Sequence, residues 1–451
     1  MYTGLTTGPL ADSMAGVLKG QARDPLSELQ PTGRTILKGG RVIDPRNGID
    51  DVKDVAFVQD RITEVADGIG AESGDKIIDC AGLLVVPGLI DMHVHLCDLF
   101  EVSTEPIFEA VRDGVTIGLS PGAGNTLMAP ALLGAEVDRG VPMNLGVYIG
   151  AGNALATMLS ADDLIQLFKG ELDAEIGSTR MTRNMITLLT APLTIGIKDH
   201  MGHFIMSDEN IDTVFDVTSG AQLVYMSHTQ DPEHTERIVG LSDGRPIHLA
   251  HATAAGCGTH GNPVDGMERV VELLKADHVT GEFVTTQLRP GLGSREGLKM
   301  TEASQQVAYD ALESGVVDIL ISDGQNDATM KGFGDTRDNI PCLLELPEIG
   351  VLSLSEAVAS MTCNPAALLA ERTGNSWWSD AVGHLGPGAL ANVTVIDEDD
   401  KLATLTIVNG ELAAFENRVV RRGNGAGAWV SKYGLVKRTG IGDLVTHSFQ
   451  R

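Results

Sequence analysis

The chain has 451 residues, with 61 Asp and Glu against 33 Lys and Arg, a formal net charge of −28 before histidine is counted. A surface this acidic repels nucleic acid and anionic lipid, which are held through surplus Lys and Arg, so neither is an expected partner. With 43% hydrophobic and 21% charged residues, the composition is that of a globular protein and excludes both a disordered chain and a disulfide scaffold.

Residues 1–33 mix Gly, Ser, Asp and Pro without periodicity or the basic head and apolar run of a secretory signal, and read as an N-terminal extension. Short β-branched segments follow, Thr35-Ile-Leu-Lys, Gly40-Arg-Val-Ile, Val55-Ala-Phe-Val, Arg61-Ile-Thr-Glu-Val and Lys76-Ile-Ile-Asp, separated by Gly, Asp and Asn turns. They predict a small antiparallel sheet over 34–86. The apolar tract 77–94 is broken by Asp79, Pro87, Gly88 and Asp91, so it is not a membrane span. From Pro87 the pattern changes to buried strands at 88–95, 115–121, 144–150, 193–198, 223–228, 247–251, 282–286 and 318–323, with helical periodicity between several, as at 160–172 and 263–276. Strands and helices in this alternation predict a (β/α)8 barrel over 87–381. Strand texture returns at 391–397 and 405–410, so 382–425 is expected to complete the early sheet as a composite β-sandwich, leaving 426–451 as a C-terminal tail. The expected fold class is α/β, a TIM barrel with a small β-sandwich domain formed from both chain ends. Five scattered cysteines without a Cys-x-x-Cys suggest neither disulfides nor a thiolate metal site, and a cytoplasmic location is expected.

Barrel active sites lie at the C-terminal ends of the strands, so polar residues there carry the information. The first strand closes on Pro87-Gly-Leu-Ile-Asp-Met-His-Val-His95, and residues two apart in a strand share a side, so His93 and His95 can converge on one cation. The fifth strand ends at His228, the sixth at His251 and the eighth at Asp323. Each follows an apolar run, where a polar group is costly unless it sits at the strand mouth. Four histidines and an aspartate in barrel order point to a metal site. Lys198 closes the fourth strand. A desolvated ammonium beside metal cations is unfavourable, whereas carbamylation converts it to an anionic bridge; a lysine snorkelling to solvent or pairing with Asp199 is the alternative.

With these residues in place, the chain resembles the amidohydrolase superfamily, metal-dependent barrels joined to a small β-sandwich. The similarity rests on the Pro87–His95 motif, Lys198, His228, His251 and Asp323, and on the sandwich-like segments 40–50 and 383–397. The resemblance implies two divalent metal ions, zinc by default with iron, manganese or cobalt compatible. His93, His95 and Asp323 would bind the buried ion, His228 and His251 the more exposed one, and carbamylated Lys198 would bridge them. It further implies attack of a metal-bridging hydroxide on a polarised carbonyl, with Asp323 carrying the proton to the leaving nitrogen. Tyr148, at the end of the third strand, would be the oxyanion donor, a core tyrosine being the alternative.

The expected function is hydrolysis of a C–N amide bond, cyclic or N-acyl, in a small polar metabolite, by a homo-oligomer (dimer or tetramer). Ester hydrolysis or heterocycle deamination at the same site is the alternative, and a non-catalytic assembly paralogue a third. Dihydroorotases and hydantoinases usually follow the eighth-strand Asp with His-Ala-Pro; here Asp323 is followed by Gly-Gln-Asn-Asp, which weakens a pyrimidine assignment. His200 and His203 read as loop or pocket histidines, and His248 as structural and facing away from His251. Arg180, Arg183 and Arg289 are candidates for a substrate carboxylate or for surface salt bridges.

Overall fold

A computed structural model of the protein describes residues 33–98, 101–102, 104–122, 124–180, 185–200, 205–291, 298–324, 332–420 and 425–436. In chain order the strands are β1 (Thr35–Asp44), β2 (Ile49–Val58), β3 (Arg61–Ala66), β4 (Lys76–Asp79), β5 (Leu84–Pro87), β6 (Leu89–Asp91), the hairpin β7 (Cys97–Asp98) and β8 (Glu101–Val102), β9 (Val115–Ser120), β10 (Asn144–Gly150) and β11 (Gly196–Lys198). They continue with β12 (Val224–His228), β13 (Ile247–Ala250), β14 (Val279–Gly281), β15 (Phe283–Val284), β16 (Leu320–Ile321), β17 (Val393–Asp397), β18 (Leu402–Val408), β19 (Glu411–Phe415), β20 (Arg418–Val419), β21 (Trp429–Ser431) and β22 (Gly434–Val436).

One sheet unites the two ends of the chain, in the order β20-β19-β18-β17-β5-β1-β2-β3 with β4 beside β1. The join is antiparallel, Leu84 to Pro87 against Ile396 to Val393. Its inward residues Val42, Val55, Val85, Val393, Leu405 and Ile407 form a core separate from that of the barrel-type sheet. The pairing explains why two segments more than 300 residues apart both read as strands: each is half of one alternating, half-buried surface.

The second sheet is parallel and follows chain order, β6-β9-β10-β11-β12-β13-β14, with β15 paired to β16. Every residue of β9, β10 and β12 is buried, the continuous apolar run that a parallel sheet covered on both faces requires. Ile90, Ile117, Leu119, Ile195, Val224, Met226, Ile319 and Ile321 fill a shared interior. The eighth strand returns to the first through a parallel bridge between Val94 and Gly324, and the His95 N–H donates to Gly324 O at 2.8 Å. Just below, the Asp91 carboxylate accepts the Ser322 N–H at 3.3 and 3.2 Å. A side chain there replaces a backbone carbonyl, which is why β16 is only two residues long where 318–323 was expected.

The helix read at 160–172 is Ala161–Lys169, started by a reciprocal Ser160–Asp163 capping box and stopped by Gly170 at φ 74°. That read at 263–276 is Pro263–Leu273, capped by Asn262 with Pro at its first position. The expected seventh strand, 282–286, is corrected: strand geometry is divided between β14 and β15, and Thr285 already begins a short helix, Thr285–Leu288. The Val284 N–H donates to Thr253 Oγ1 at 3.1 Å, turning the chain out of the sheet.

The stretch 426–436, read as part of a tail, supplies β21 and β22. β21 joins β10 at Leu145, below the point where β11 begins opposite Tyr148. The side chain of Lys432, in the turn between β21 and β22, is buried, and its ammonium donates to Phe168 O at 2.7 Å and Ala221 O at 2.8 Å. Those carbonyls belong to the last turns of Ala161–Lys169 and Asp208–Ala221, so one cation satisfies two helix C-termini. Replacing Lys432 by Met leaves both carbonyls unpaired and is expected to lower stability by about 2–4 kcal/mol, read as a shift of the urea midpoint; an unchanged midpoint would remove this role.

Candidate functional site

At the mouth of the parallel sheet the chain runs on from β6 as Met92-His93-Val94-His95, and the His93 N–H donates to Asp91 Oδ1 at 3.2 Å. His93 Nε2 lies 2.8 Å from Lys198 Nζ and 3.1 Å from Asp323 Oδ1, and His95 Nε2 lies 3.2 Å from the same oxygen. The ring of His251 stands 5.1 Å from that of His93 and 4.6 Å from that of His228. The residues singled out at the ends of strands one, four, five, six and eight therefore converge on one buried cluster.

Two of them sit on strained backbone. His251 has φ 38° and Asp323 φ 45°, the left-handed region that side-chain-bearing residues rarely adopt. Such conformations cost on the order of 1–3 kcal/mol and persist where the surroundings enforce them. For Asp323 the surroundings are Gly332-Phe-Gly334: the Phe333 N–H donates to Asp323 Oδ2 at 2.6 Å, and a Cβ on Gly332 would lie 1.8 Å from Asp323 O. Asp323 thus offers Oδ1 to His93 and His95 while Oδ2 is held from behind. The Phe333 ring packs 4.9 Å from that of His251.

Glu282, between β14 and β15 and at the start of the expected strand 282–286, lies at the centre of the support. It is fully buried. Its Oε1 receives His93 Nδ1 and, at 3.2 Å, the His251 N–H; its Oε2 lies 3.1 Å from His248 Nε2. Burial pushes the Glu282 carboxyl up, but the imidazoles of His93 and His248 outweigh it and hold it down to about 2. Burial likewise opposes ionisation of Asp323, yet His93, His95 and His251 keep it well below the usual carboxylate range. The signal for Glu282 lies in the sequence: an acid directly before the apolar pair Phe283-Val284 of an expected buried strand meets the same cost argument as the histidines.

His248, expected to be structural and to face away, is buried and bridges Glu282 to Thr280, whose Oγ1 lies 2.9 Å from His248 Nδ1. His200 is buried with Nε2 lacking a hydrogen-bond partner among the described residues. Burial first, then Lys198, His228, His95 and His93, push its pKa well below the ordinary value. Tyr148 pairs with Gly196 in the sheet, whereas Lys198 pairs with Gly150, so the tyrosine stands two residues below the lysine. Its side chain is part of the barrel interior, its hydroxyl lacks a partner among the described residues, and burial, then Glu282, push its pKa well above 10. Arg289 is held by Asp338 and Glu345, and Arg180 by Asp163 at 3.2 Å. His203 and Arg183 lie outside the described residues.

The donor set suits a divalent cation. The ligand atoms of His93, His95 and Asp323 all lie within 4.8 Å of one another. His251 Nδ1 is buried without a hydrogen-bond partner among the described residues, a cost that a bound cation would relieve.

Residues 84–420 match the amidohydrolase family. The chain is similar to the dihydroorotase of Geobacter metallireducens, 25% identical over 427 residues that span 84% of this chain and 92% of the relative. A second relative, the dihydroorotase of Geobacter sulfurreducens, is 26% identical over 384 residues, 74% of this chain and 84% of the relative. Among solved structures, the dihydropyrimidinase of Brevibacillus agri superposes with a TM-score of 0.65 at 15% identity, over 90% of this chain and all of that one. A D-hydantoinase superposes with a TM-score of 0.66 at 17% identity, over 89% of this chain and 100% of that one.

Proposed function

The chain belongs to the amidohydrolase family, and from that premise we propose that it is a metal-dependent hydrolase opening the C–N amide bond of a small cyclic amide. The observation that carries this reading is the convergence of His93, His95 and Asp323 within 4.8 Å, with Lys198 2.8 Å from His93. The names of the similar relatives, dihydroorotase and D-hydantoinase, support the cyclic class. The composite sheet from both chain ends supports reading the small domain as the family's β-sandwich.

In this reading His93, His95 and Asp323 would hold one divalent ion, zinc by default, His228 and His251 would hold a second, and Lys198, as a carbamate, would supply an anionic ligand between them. Bound there, the ions supply a water of near-neutral pKa and polarise the substrate carbonyl. Asp323, with Oδ2 fixed by the Phe333 N–H, keeps Oδ1 aimed at the cluster and carries a proton to the leaving nitrogen. His200, buried with Nε2 lacking a partner among the described residues, is the residue we propose to contact the ring amide. Tyr148 remains a candidate oxyanion donor, which would require its hydroxyl to reach up from the layer below Lys198. Arg289 is engaged by two carboxylates and Arg180 by one. No helix among the described residues is long and apolar enough to cross a membrane. A cytoplasmic, dimeric or tetrameric enzyme completes the proposal; no disulfide joins cysteines among the described residues, and size-exclusion chromatography checks the assembly.

The test is a screen of cyclic imides, lactams, dihydropyrimidines, dihydroorotate and N-acyl amino acids, read as acid release, beside metal analysis of the same protein. Ring opening with close to two divalent ions per chain is expected. Activity confined to N-acyl amino acids would remove the cyclic class, and a metal-free preparation that stays fully active would sink the mechanism.

A further inference from the structure

The hydrogen bonds around Glu282 can be assigned directions. The His251 backbone N–H can only donate, which makes Glu282 Oε1 an acceptor, and His93 Nδ1, against that same oxygen, donates to it, while His248 Nε2 lies 3.1 Å from Oε2. With Nδ1 donating to Glu282, Nε2 is the ring atom His93 has left to offer a cation, and it faces Lys198 Nζ at 2.8 Å and Asp323 Oδ1 at 3.1 Å. His248 Nδ1 lies 2.9 Å from Thr280 Oγ1, whose hydroxyl also reaches Ile247 O at 3.4 Å. His248 and His93 thus meet the same carboxylate from two sides, one at each oxygen. Glu282 also pins the backbone of His251, the residue at φ 38°: its side chain takes the His251 N–H, and its carbonyl takes the Ala252 N–H at 2.8 Å.

We propose that Glu282, oriented by His248, is a positioning residue of the metal centre: it fixes the tautomer of His93 and the placement of His251, and so sets metal affinity. The inference rests on reading the cluster as a metal centre. The bland alternative is a buried acid that only neutralises charge and supports folding. The two differ in what they move, because a tautomer-setting partner changes ligand basicity and metal affinity, whereas a folding role changes the stability of the metal-free chain.

The experiment uses the full chain stripped of metal, as wild type, Glu282→Gln and His248→Asn. Zinc affinity is measured by competition with a chromogenic chelator, together with the melting temperature of the metal-free protein and, after reloading, kcat and KM. Glu282→Gln is nearly isosteric and keeps an acceptor for the His251 N–H. It is expected to weaken the tighter zinc site by about 10- to 100-fold, with kcat reduced, KM little moved and metal-free melting preserved. His248→Asn is expected to show the same pattern to a smaller degree. Zinc affinity in Glu282→Gln equal to wild type overturns the inference, as does weakened binding matched by a collapse of metal-free stability. Should Glu282→Gln not fold, unchanged affinity in His248→Asn overturns it. Wild-type protein that takes up no zinc removes the metal centre itself, an outcome distinct from normal wild-type uptake with an indifferent Glu282→Gln.

Discussion

Lys198→Ala is expected to reduce hydrolysis by at least about 10³-fold, the scale on which removing a charge-organising group from a reaction centre acts, and to lower the metal content from two ions per chain toward one. Lys198 is 1% exposed at the end of β11, with Nζ 2.8 Å from His93 Nε2. Left as an ammonium it would oppose any cation held by that imidazole, at the short range and low dielectric where Coulomb terms are largest. Carbamylation would reverse the sign and put an anionic group beside that imidazole. Short carboxylic acids added to Lys198→Ala should then restore part of the activity by occupying the vacated space as an anion. Metal content equal to wild type with no acid rescue would refute the carbamate and return Lys198 to a simple donor toward His93.

Asp323→Asn is the second large effect, a fall in kcat of about 10²- to 10⁴-fold, the range for a positioned acid–base group. The substitution keeps the shape of the side chain and can retain the Phe333 N–H bond at Oδ2, so folding is not the expected cause of loss. What the amide cannot do is take a proton from the nucleophile and return it to the leaving nitrogen. Metal content must be measured on the same sample, because Asp323 Oδ1 also lies 3.1 and 3.2 Å from His93 and His95 Nε2. A fully metallated Asp323→Asn within tenfold of wild-type kcat would remove the proton-carrying role. The substrate KM should move less than kcat, since the carboxylate acts on groups formed during turnover.

The candidate cluster was largely legible before any coordinates. A histidine or aspartate ending an apolar run announces itself, because burying it unpaired is costly and a strand mouth is the place where that cost is met. His93 and His95 carried the extra signature of spacing two apart. Glu282 carries a weaker form of the same signal, an acid at the start of an expected buried strand. For the arginines the sequence left two readings open, and the structure shows salt bridges for Arg180 and Arg289. Arg289 is as conspicuous in the sequence as any substrate-binding arginine, and only the neighbouring Asp338 and Glu345 reveal that its charge is already engaged.

By itself, then, the sequence determined the alternation of strands and helices, the return of the chain end to the opening sheet, and the chemical types at the strand mouths. These follow from local periodicity and from desolvation, which act residue by residue. The tertiary structure alone decided which groups meet. His93 and Glu282 are separated by 189 positions, and Asp91 and Ser322 by 231. Their contacts exist only because the parallel strands curl far enough to bring the eighth back to the first. The left-handed turns at His251 and Asp323 and the burial of Lys432 over two helix ends belong to the same class. Each depends on distant segments that hold a residue where its own preferences would not, and no local pattern encodes that.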